Sequence, residues 1–492
     1  MLGGDRLKVY MISYEVYPFA KVGGLADVVG ALPKMLKKQG IDVSIIMPLH
    51  KIVSKNSEKF GFNIEPLYEK IPVPVLRTDQ TFSVYKSEIP GSKVPVFLIS
   101  NDYYFSADDV YNGPDLAEQS IFFSNASLEL IKKLGSKPDI VHSHDWQSSL
   151  VPVYIKSVYR SEPSFSNTST VLTIHNLGYQ GIFDPKYLEF AGLPQYLFNV
   201  DGLEFYGQIN FLKGAILFAD VINTVSPTYA NEITTEEYGE KLDGVLRIRS
   251  DDLFGILNGI DYSEYNPATD KRIYANYDVG HIDKKKINKV RLQGDLGLPK
   301  NEDVALVGMI TRLVDQKGLD LLSRIMDYVA LFNMQFVVLG TGDARYENYF
   351  RSLEQRYPDK VKANITFDVE LAQKIYAGSD MFVMPSRYEP CGLGQMYSLR
   401  YGTVPVVRYT GGLADTVKEY DSHSLEGNGF GFRKYDAPYL LTSIAKALYF
   451  FNQEKKHWQR IIRNAMNTDL SWERSASEYV KLYEKALAKR RG

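Results

Sequence analysis

Short runs of consecutive apolar residues alternate along the chain with longer stretches in which apolar residues recur every three or four positions. Glycines sit at many of the changeovers. The first run is LKVYMISY (7–14), which predicts a buried strand. Behind it, in KVGGLADVVGALPKMLKKQG (21–40), Leu25, Val28, Val29, Leu32 and Leu36 fall on one face of a helix opened by Gly23 and Gly24. IDVSIIMP (41–48) predicts the second strand. NIEPLYEKIPVPV (63–75), FSVYKSEI (82–89) and KVPVFLIS (93–100) then read as a mixed, strand-rich region added to a strand–helix framework. A helix is predicted from about Leu116 to Leu134, followed by strands in DIVHSHDW (139–146), TVLTIHNLGYQG (170–181), ADVINTVSP (219–227) and DLFGILNGID (252–261).

A polar stretch without apolar periodicity, YSEYNPATDKRIYANYDVGHIDKKK, follows, and the composition change puts a domain boundary near 255–300. The rhythm then restarts. Strands are predicted in DVALVGMI (303–310), QFVVLGTG (335–342), NITFDV (364–369) and MFVM (381–384). TVPVVRYTGGLADTV (403–417) reads as strand, Gly411-Gly412, helix, and the tail from Pro438 to Lys489 as mostly helical. Repeated strand–glycine–helix units imply an α/β chain built on doubly wound parallel sheets. Two such Rossmann-like halves, each with its ligand edge at the strand C-termini, imply a cleft between domains.

Length and composition narrow the function. A chain of 492 residues exceeds one ordinary core, so two to three domains are expected. A formal charge of −2 gives no bulk attraction to nucleic acid or to an acidic membrane. The lone cysteine, Cys391, excludes an intramolecular disulfide framework and a cysteine-based zinc site. No apolar run approaches the ~20 residues needed to span a bilayer. LKVYMISYEV reads as strand and loop rather than as a leader, so a cytoplasmic enzyme is the expectation. The 35 Tyr and 25 Phe suit sugar-stacking surfaces, although core packing accounts for most aromatics.

The candidate chemistry lies where strands end. Pro385–Gly394 (PSRYEPCGLG) joins the run MFVM to a helix-like segment ending at Gly402, the position where open α/β sheets bind ligands. A new helix there offers backbone N–H groups to an anion, with Glu389 beside it; an ordinary surface loop is the competing reading. Gly23-Gly24 leaves room for a phosphate and Lys21 adds a point charge, though a tight turn is the plainer account and the GxGxxG of a dinucleotide site is absent. His142, His144, Asp145 and Trp146 end one strand; His175, Asn176 and Gly178 end another. The histidine pair lacks further clustered ligands, so structural hydrogen bonding is its commoner role. Arg312 and Lys317 precede a helix in TRLVDQKGLDLL, where a solvated loop is again the plainer reading.

In order along the chain, KVGGLADVVGALPK, SHDWQSSLVP, TIHNLGYQGIF, ILNGID, TRLVDQKG, SRYEPCGLGQMYSLRYG and TGGLADTV resemble the bacterial glycogen synthase and plant starch synthase family, from about residue 7 to about 475. The resemblance implies a GT-B fold: an acceptor-binding domain (1–255), a nucleotide-sugar-binding domain (256–470) and a terminal helix (471–492) crossing back to the first. It implies retaining transfer of glucose from ADP-glucose, or UDP-glucose, to the 4-hydroxyl of a glycogen or α-1,4-glucan chain, with no metal and no other cofactor. In that frame Arg312 and Lys317 bind the diphosphate, Lys21, Gly23 and Gly24 meet the donor from the first domain, and Glu389 orients the transferred sugar. His175 and Asn176 contact the donor sugar, with His175 near the 6-hydroxyl. Asp145 and Trp146 line the acceptor and sugar pocket, unless Trp146 is a packing residue. Asn258 takes the hinge position, Phe367 stacks on the base, and Gly392, Leu393 and Gly394 offer backbone to the distal phosphate beside a packed Cys391; Glu15 is a weaker match in the first loop. Gln147, Val22, Gly394 and Ala414 depart from the family pattern of His, Thr, Thr and Arg, which bears on donor and acceptor preference. Rival readings are a sucrose- or trehalose-forming GT-B transferase, which lacks the KVGGLADV opening, and an inactive glucan-binding homologue.

Overall fold

The structure, a computed structural model, describes residues 6–73 and 80–491, so Pro74 and Val75 of the predicted strand 63–75 lie outside the described residues. The chain divides into two compact units: one holds the chain up to Gly259 together with Trp472 onward, the other Ile260–Ser471. The division falls at Gly259–Ile260 rather than at residues 255–256.

The first unit contains β1 (Lys8–Ile12), β2 (Asp42–Pro48), β3 (Glu65–Pro72), β4 (Thr81–Glu88), β5 (Pro95–Ser100), β6 (Ile140–His144), β7 (Ser169–Ile174), β8 (Ile182–Phe183), β9 (Glu204–Phe205), β10 (Gln208–Asn210), β11 (Val221–Thr224) and β12 (Leu253–Gly255). Among the described residues nine of these form one sheet in the order β12-β11-β7-β6-β1-β2-β5-β4-β3, and β8-β10-β9 form a small second one. The large sheet is parallel from β12 to β5; β4 and β3 add antiparallel at its edge. Parallel strands are covered on both faces and read as unbroken apolar runs. Val9–Ile12 of β1 obey this, all buried. All of β6 is buried as well, although His142, Ser143 and His144 are polar. Those groups therefore need partners inside the protein.

The helix Trp472–Arg491 supplies one of them. Its Trp472, Ala476, Tyr479, Tyr483 and Ala486 are buried in the core of the first unit. The Tyr483 hydroxyl meets His142 Nδ1 at 3.0 Å, and Asn223 of β11 donates to the Tyr479 hydroxyl at 3.1 Å. The end of the chain is thus tied to the sheet with which the chain begins.

The second unit contains β13 (Ala305–Ile310), β14 (Met334–Leu339), β15 (Val361–Asn364), β16 (Met381–Met384), β17 (Val404–Arg408) and β18 (Phe430–Phe432). Among the described residues they form one parallel sheet, β15-β14-β13-β16-β17-β18. In both units the order reverses beside the first strand, between β1 and β6 in one and between β13 and β16 in the other. Such switch points leave a crevice at the strand C-termini because the flanking connections depart to opposite faces.

Two predicted strands need correction. NITFDV was expected at 364–369, but β15 ends at Asn364 and a helix spans Val369–Gly378. Asp368 decides this: its carboxylate accepts from the Leu371 N–H at 2.9 Å and caps the helix. DLFGILNGID shrinks to Leu253–Gly255, because only those residues pair with β11.

Candidate functional site

In the second unit the loop after β13 carries Arg312 and Lys317, and the loop after β16 carries Glu389. These strands are neighbours at the switch point, so residues 72 positions apart meet. Lys317 Nζ lies 2.9 and 2.7 Å from the two carboxylate oxygens of Glu389, and the Ser386 hydroxyl donates to Oε2 at 2.9 Å. Glu389 is buried. A carboxylate withdrawn from water costs several kcal/mol unless it is paired and hydrogen-bonded, and here it is both. One backbone and one side-chain bond hold the two loops together: Arg387 N–H donates to the Gln316 carbonyl at 2.8 Å, and Gln316 Nε2 to the Tyr388 carbonyl at 3.2 Å.

The Gly411-Gly412 pair serves this loop from behind. Gly412 N–H donates to the Glu389 and Pro390 carbonyls at 3.2 and 3.1 Å. A Cβ on Gly411, whose φ is +44°, would lie 2.0 Å from the Glu389 carbonyl oxygen, and one on Gly412 2.0 Å from that of Cys391. Only glycine permits so close an approach. The pair read as a strand-to-helix turn is therefore also the backing of the Glu389 loop.

The other candidates of this unit divide by exposure. Arg312 is exposed. Phe367 is 85% exposed, in the loop before the Asp368-capped helix, so it has no packing role. Cys391 is buried, while Gly392, Leu393 and Gly394 are half-buried where the helix Gly394–Arg400 begins. Asn258, the penultimate residue of the first unit's long segment, is buried, and its Oδ1 has no partner among the described residues.

In the first unit the loop after β1 closes on Glu15. This buried carboxylate accepts from the Val22 N–H, from the Gly23 N–H at 2.9 Å and from the Tyr111 hydroxyl. Lys21 is exposed and pairs with Asp27 at 2.6 Å. Burial pushes the Asp27 carboxyl up, and Lys21 offsets part of that rise. Gly23 is extended, and a Cβ there would touch nothing among the described residues. The protein's own packing does not demand glycine at 23.

Beyond β6, Asp145 adopts φ +55° and ψ −175°, a region almost reserved for glycine, at a cost of about 1–3 kcal/mol. Its Oδ1 takes the His175 N–H at 2.7 Å, and its own N–H donates to the Thr173 carbonyl at 3.0 Å. These bonds clasp the loop after β6 to the end of β7. Burial pushes the Asp145 carboxyl up to about 7, against the backbone N–H groups of His175 and Asn176. His175 Nε2 lies 3.0 Å from His144 Nδ1, and burial holds its pKa down to about 3. Asn176 spends Oδ1 on the Gly178 N–H at 3.0 Å. Trp146 is buried, its ring 5.6 Å from that of Phe183 and against Gly181, so it packs the core under this loop. Among the described residues no group of three or more His, Cys, Asp or Glu is placed to hold a metal ion, and no helix is long and apolar enough to cross a membrane.

Residues 8–248 match the family model described as starch synthase catalytic domain, and residues 296–468 match glycosyl transferases group 1. Glycogen synthase of Thermotoga maritima is 68% identical over 98% of this chain and 99% of its own length. The chain belongs to the glycogen synthase family. Glycogen synthase of Pseudothermotoga lettingae is 66% identical over 98% of this chain and all of its own. Among solved structures, the catalytic domain of Starch Synthase IV from Arabidopsis thaliana, bound to ADP and acarbose, matches with a TM-score of 0.91 and 33% identity over 98% of this chain and all of that one. The fold is accordingly GT-B, built from the two Rossmann-like units described above.

For a member of the glycogen synthase family, two of these neighbours escaped the sequence reading. Ser386 stands three residues before Glu389, a spacing that could have marked it as a loop hydrogen-bond partner. Tyr111 reaches Glu15 across 96 residues, and no local pattern signals that. The departure at Gln147 is buried, with Oε1 unpartnered among the described residues; that at Val22 is exposed.

Proposed function

We propose that this chain transfers glucose with retention from ADP-glucose, and less well from UDP-glucose, to the non-reducing 4-hydroxyl of a glycogen or α-1,4-glucan chain, releasing the nucleoside diphosphate. The observation that carries this is the end-to-end likeness to glycogen synthases at 68% identity. The Lys317–Glu389–Ser386 cluster supports it with chemistry. In the reaction the C1–O bond to phosphate breaks through an oxocarbenium-like state, the acceptor O4 bonds to C1, and negative charge grows on the departing diphosphate. We assign Arg312 to that diphosphate, because guanidinium binds phosphate in a bidentate way. Lys317 stands beside it, and the backbone at Gly392, Leu393 and Gly394 takes the distal phosphate. Lys21, Gly23 and Gly24 meet the donor from the first unit, where nothing in the packing fills the space over Gly23.

Glu389 orients the sugar. Both of its oxygens already accept from Lys317, which weakens it as a nucleophile. Retention then follows from front-face attack, in which the leaving phosphate oxygen takes the acceptor proton. His175 and Asn176 contact the donor sugar, Asp145 holds His175 in place, and the exposed Phe367 receives the base. These cations and amides do the work a metal would do, so no cofactor is assigned. Labelled ADP-glucose and UDP-glucose, each with glycogen and with excess chelator, test the reading. Incorporation as α-1,4-linked glucose is expected, faster from ADP-glucose and unchanged by the chelator. Incorporation from neither donor would leave a glucan-binding homologue as the surviving reading.

A further inference from the structure

Three imidazole rings line up beneath the loop that carries His175. The His142 and His144 rings stack with centroids 4.2 Å apart, and those of His144 and His175 lie 5.3 Å apart. His144 Nδ1 meets His175 Nε2 at 3.0 Å. His142 is occupied at both nitrogens, by the Tyr483 hydroxyl at 3.0 Å and the Thr173 hydroxyl at 2.7 Å. Its only contact with His144 is therefore the stack, which holds the plane of that ring.

A contact between two neutral imidazoles uses one N–H and one lone pair, so a single proton decides which ring donates. Burial keeps both rings neutral, with the pKa of His175 pushed down to about 3 and that of His144 also depressed. The remaining nitrogen of His144 settles the direction. His144 Nε2 is buried and has no partner among the described residues. If His175 donated from Nε2, His144 would carry its hydrogen on Nε2 and bury an N–H with no acceptor. If His144 donates from Nδ1, the orphan is a bare lone pair. A buried unpaired N–H is the rarer and costlier of the two.

We propose that His144 is a positioning residue, protonated on Nδ1, that sets the tautomer of His175: His175 accepts at Nε2 and presents an Nδ1–H donor to a hydroxyl oxygen of the bound sugar. The geometry around the pair removes the alternatives. The Ser148 hydroxyl accepts from the His144 N–H at 2.9 Å and donates to the His144 carbonyl at 2.8 Å, fixing that backbone. Asp145 fixes the His175 backbone through its N–H. With both backbones fixed, turning either ring about its Cβ–Cγ bond would break the contact between His144 Nδ1 and His175 Nε2. The sugar-facing half rests on the function proposed above; the direction of the His144–His175 bond does not.

The test uses the full chain and the variants His144→Asn and His144→Leu. An Asn side chain places an N–H near the position of Nδ1 and can still donate to His175; Leu cannot. Turnover with ADP-glucose and glycogen should stay within about threefold of the parent in His144→Asn and fall by about thirtyfold in His144→Leu, with KM for glycogen little changed. In parallel, ¹⁵N-histidine spectra of the unsubstituted chain should show the His175 signals, identified by their loss in His175→Gln, in the Nδ1–H form. A His175 found in the Nε2–H form overturns the proposal, as do equal turnover losses in both variants. If His144→Leu fails to fold by circular dichroism, the spectrum and the Asn variant decide. If no donor supports transfer, the proposed function fails while the spectrum still reports the tautomer.

Discussion

The loops after β1 and after β16 each border the switch point of their own parallel sheet, and each is built around one buried carboxylate. They neutralise it differently. Glu15 is held by neutral donors, the Val22 and Gly23 amides and the Tyr111 hydroxyl, while the nearby cation Lys21 pairs with Asp27. Glu389 is held by a cation, Lys317, with Ser386 as the neutral donor among the described residues. The difference sets what each loop has left to give. Around Glu15 two backbone amides that would suit an anion are already spent on an internal one, Lys21 is spent on Asp27, and what stays open is the space over Gly23. Around Glu389 no backbone amide among the described residues donates to the carboxylate, and the cation itself is committed. A ligand there meets an ion pair of low net charge, with the exposed Arg312 adding positive charge on the neighbouring loop.

The comparison breaks most sharply at Glu389. Glu389→Gln keeps the size and one acceptor but removes the charge opposite Lys317; turnover should fall by roughly a thousandfold or more while nucleotide binding, read by calorimetry, changes little. Comparable losses in both would mean that Glu389 acts on the nucleotide rather than on the sugar. Lys317→Met should lower turnover by about a hundredfold and also destabilise the second unit by about 3 kcal/mol, because it leaves a buried carboxylate unpaired. An unchanged unfolding midpoint would show that Glu389 escapes to water. Glu15→Gln should cost much less, about tenfold in kcat/KM, since an amide oxygen still accepts from the Val22 and Gly23 N–H groups. A loss as large as that of Glu389→Gln would erase the distinction between the two loops.

Acid sharpens the comparison within the first unit. Burial and the neighbouring His175 hold the pKa of His142 down to about 3 from its ordinary 6.5. The unfolded chain binds that proton first, so the stability contribution is fully present above pH 6.5 and is lost as pH falls toward 3, at up to about 1.4 kcal/mol per pH unit. His142→Asn should flatten the slope of unfolding free energy in that window, measured by urea titration at pH 7, 6 and 5. An unaltered slope would show that His142 takes up no proton on unfolding.

Much of this was legible along the chain because strand ends are local events. An apolar run, a glycine and a helical repeat announced the loops bearing Lys21, Asp145, His175, Lys317 and Glu389. The family motifs assigned their chemistry, and the comparisons bear out the family and its two Rossmann-like units. The misread strand at 364–369 had a local cause too: Ile365, Thr366 and Phe367 favour extended backbone, but the Asp368 cap took the chain into a helix. Trp146 shows the limit of such patterns, since an aromatic at a strand end looks the same whether it faces a sugar or packs under the loop.

By itself the sequence determined the parallel α/β architecture, the family and the stations at which chemistry is placed, because those depend on periodicity and motif order. Tertiary structure alone decided how the charges are spent. Lys317 and Glu389 are far apart in sequence but sit on adjacent strands; Glu15 finds Tyr111, and His144 finds His175, only when the sheet brings them side by side. Pairing across a sheet depends on strand order, and the direction of a single proton depends on which nitrogen is left buried without a partner. Neither is written in any short stretch of the chain.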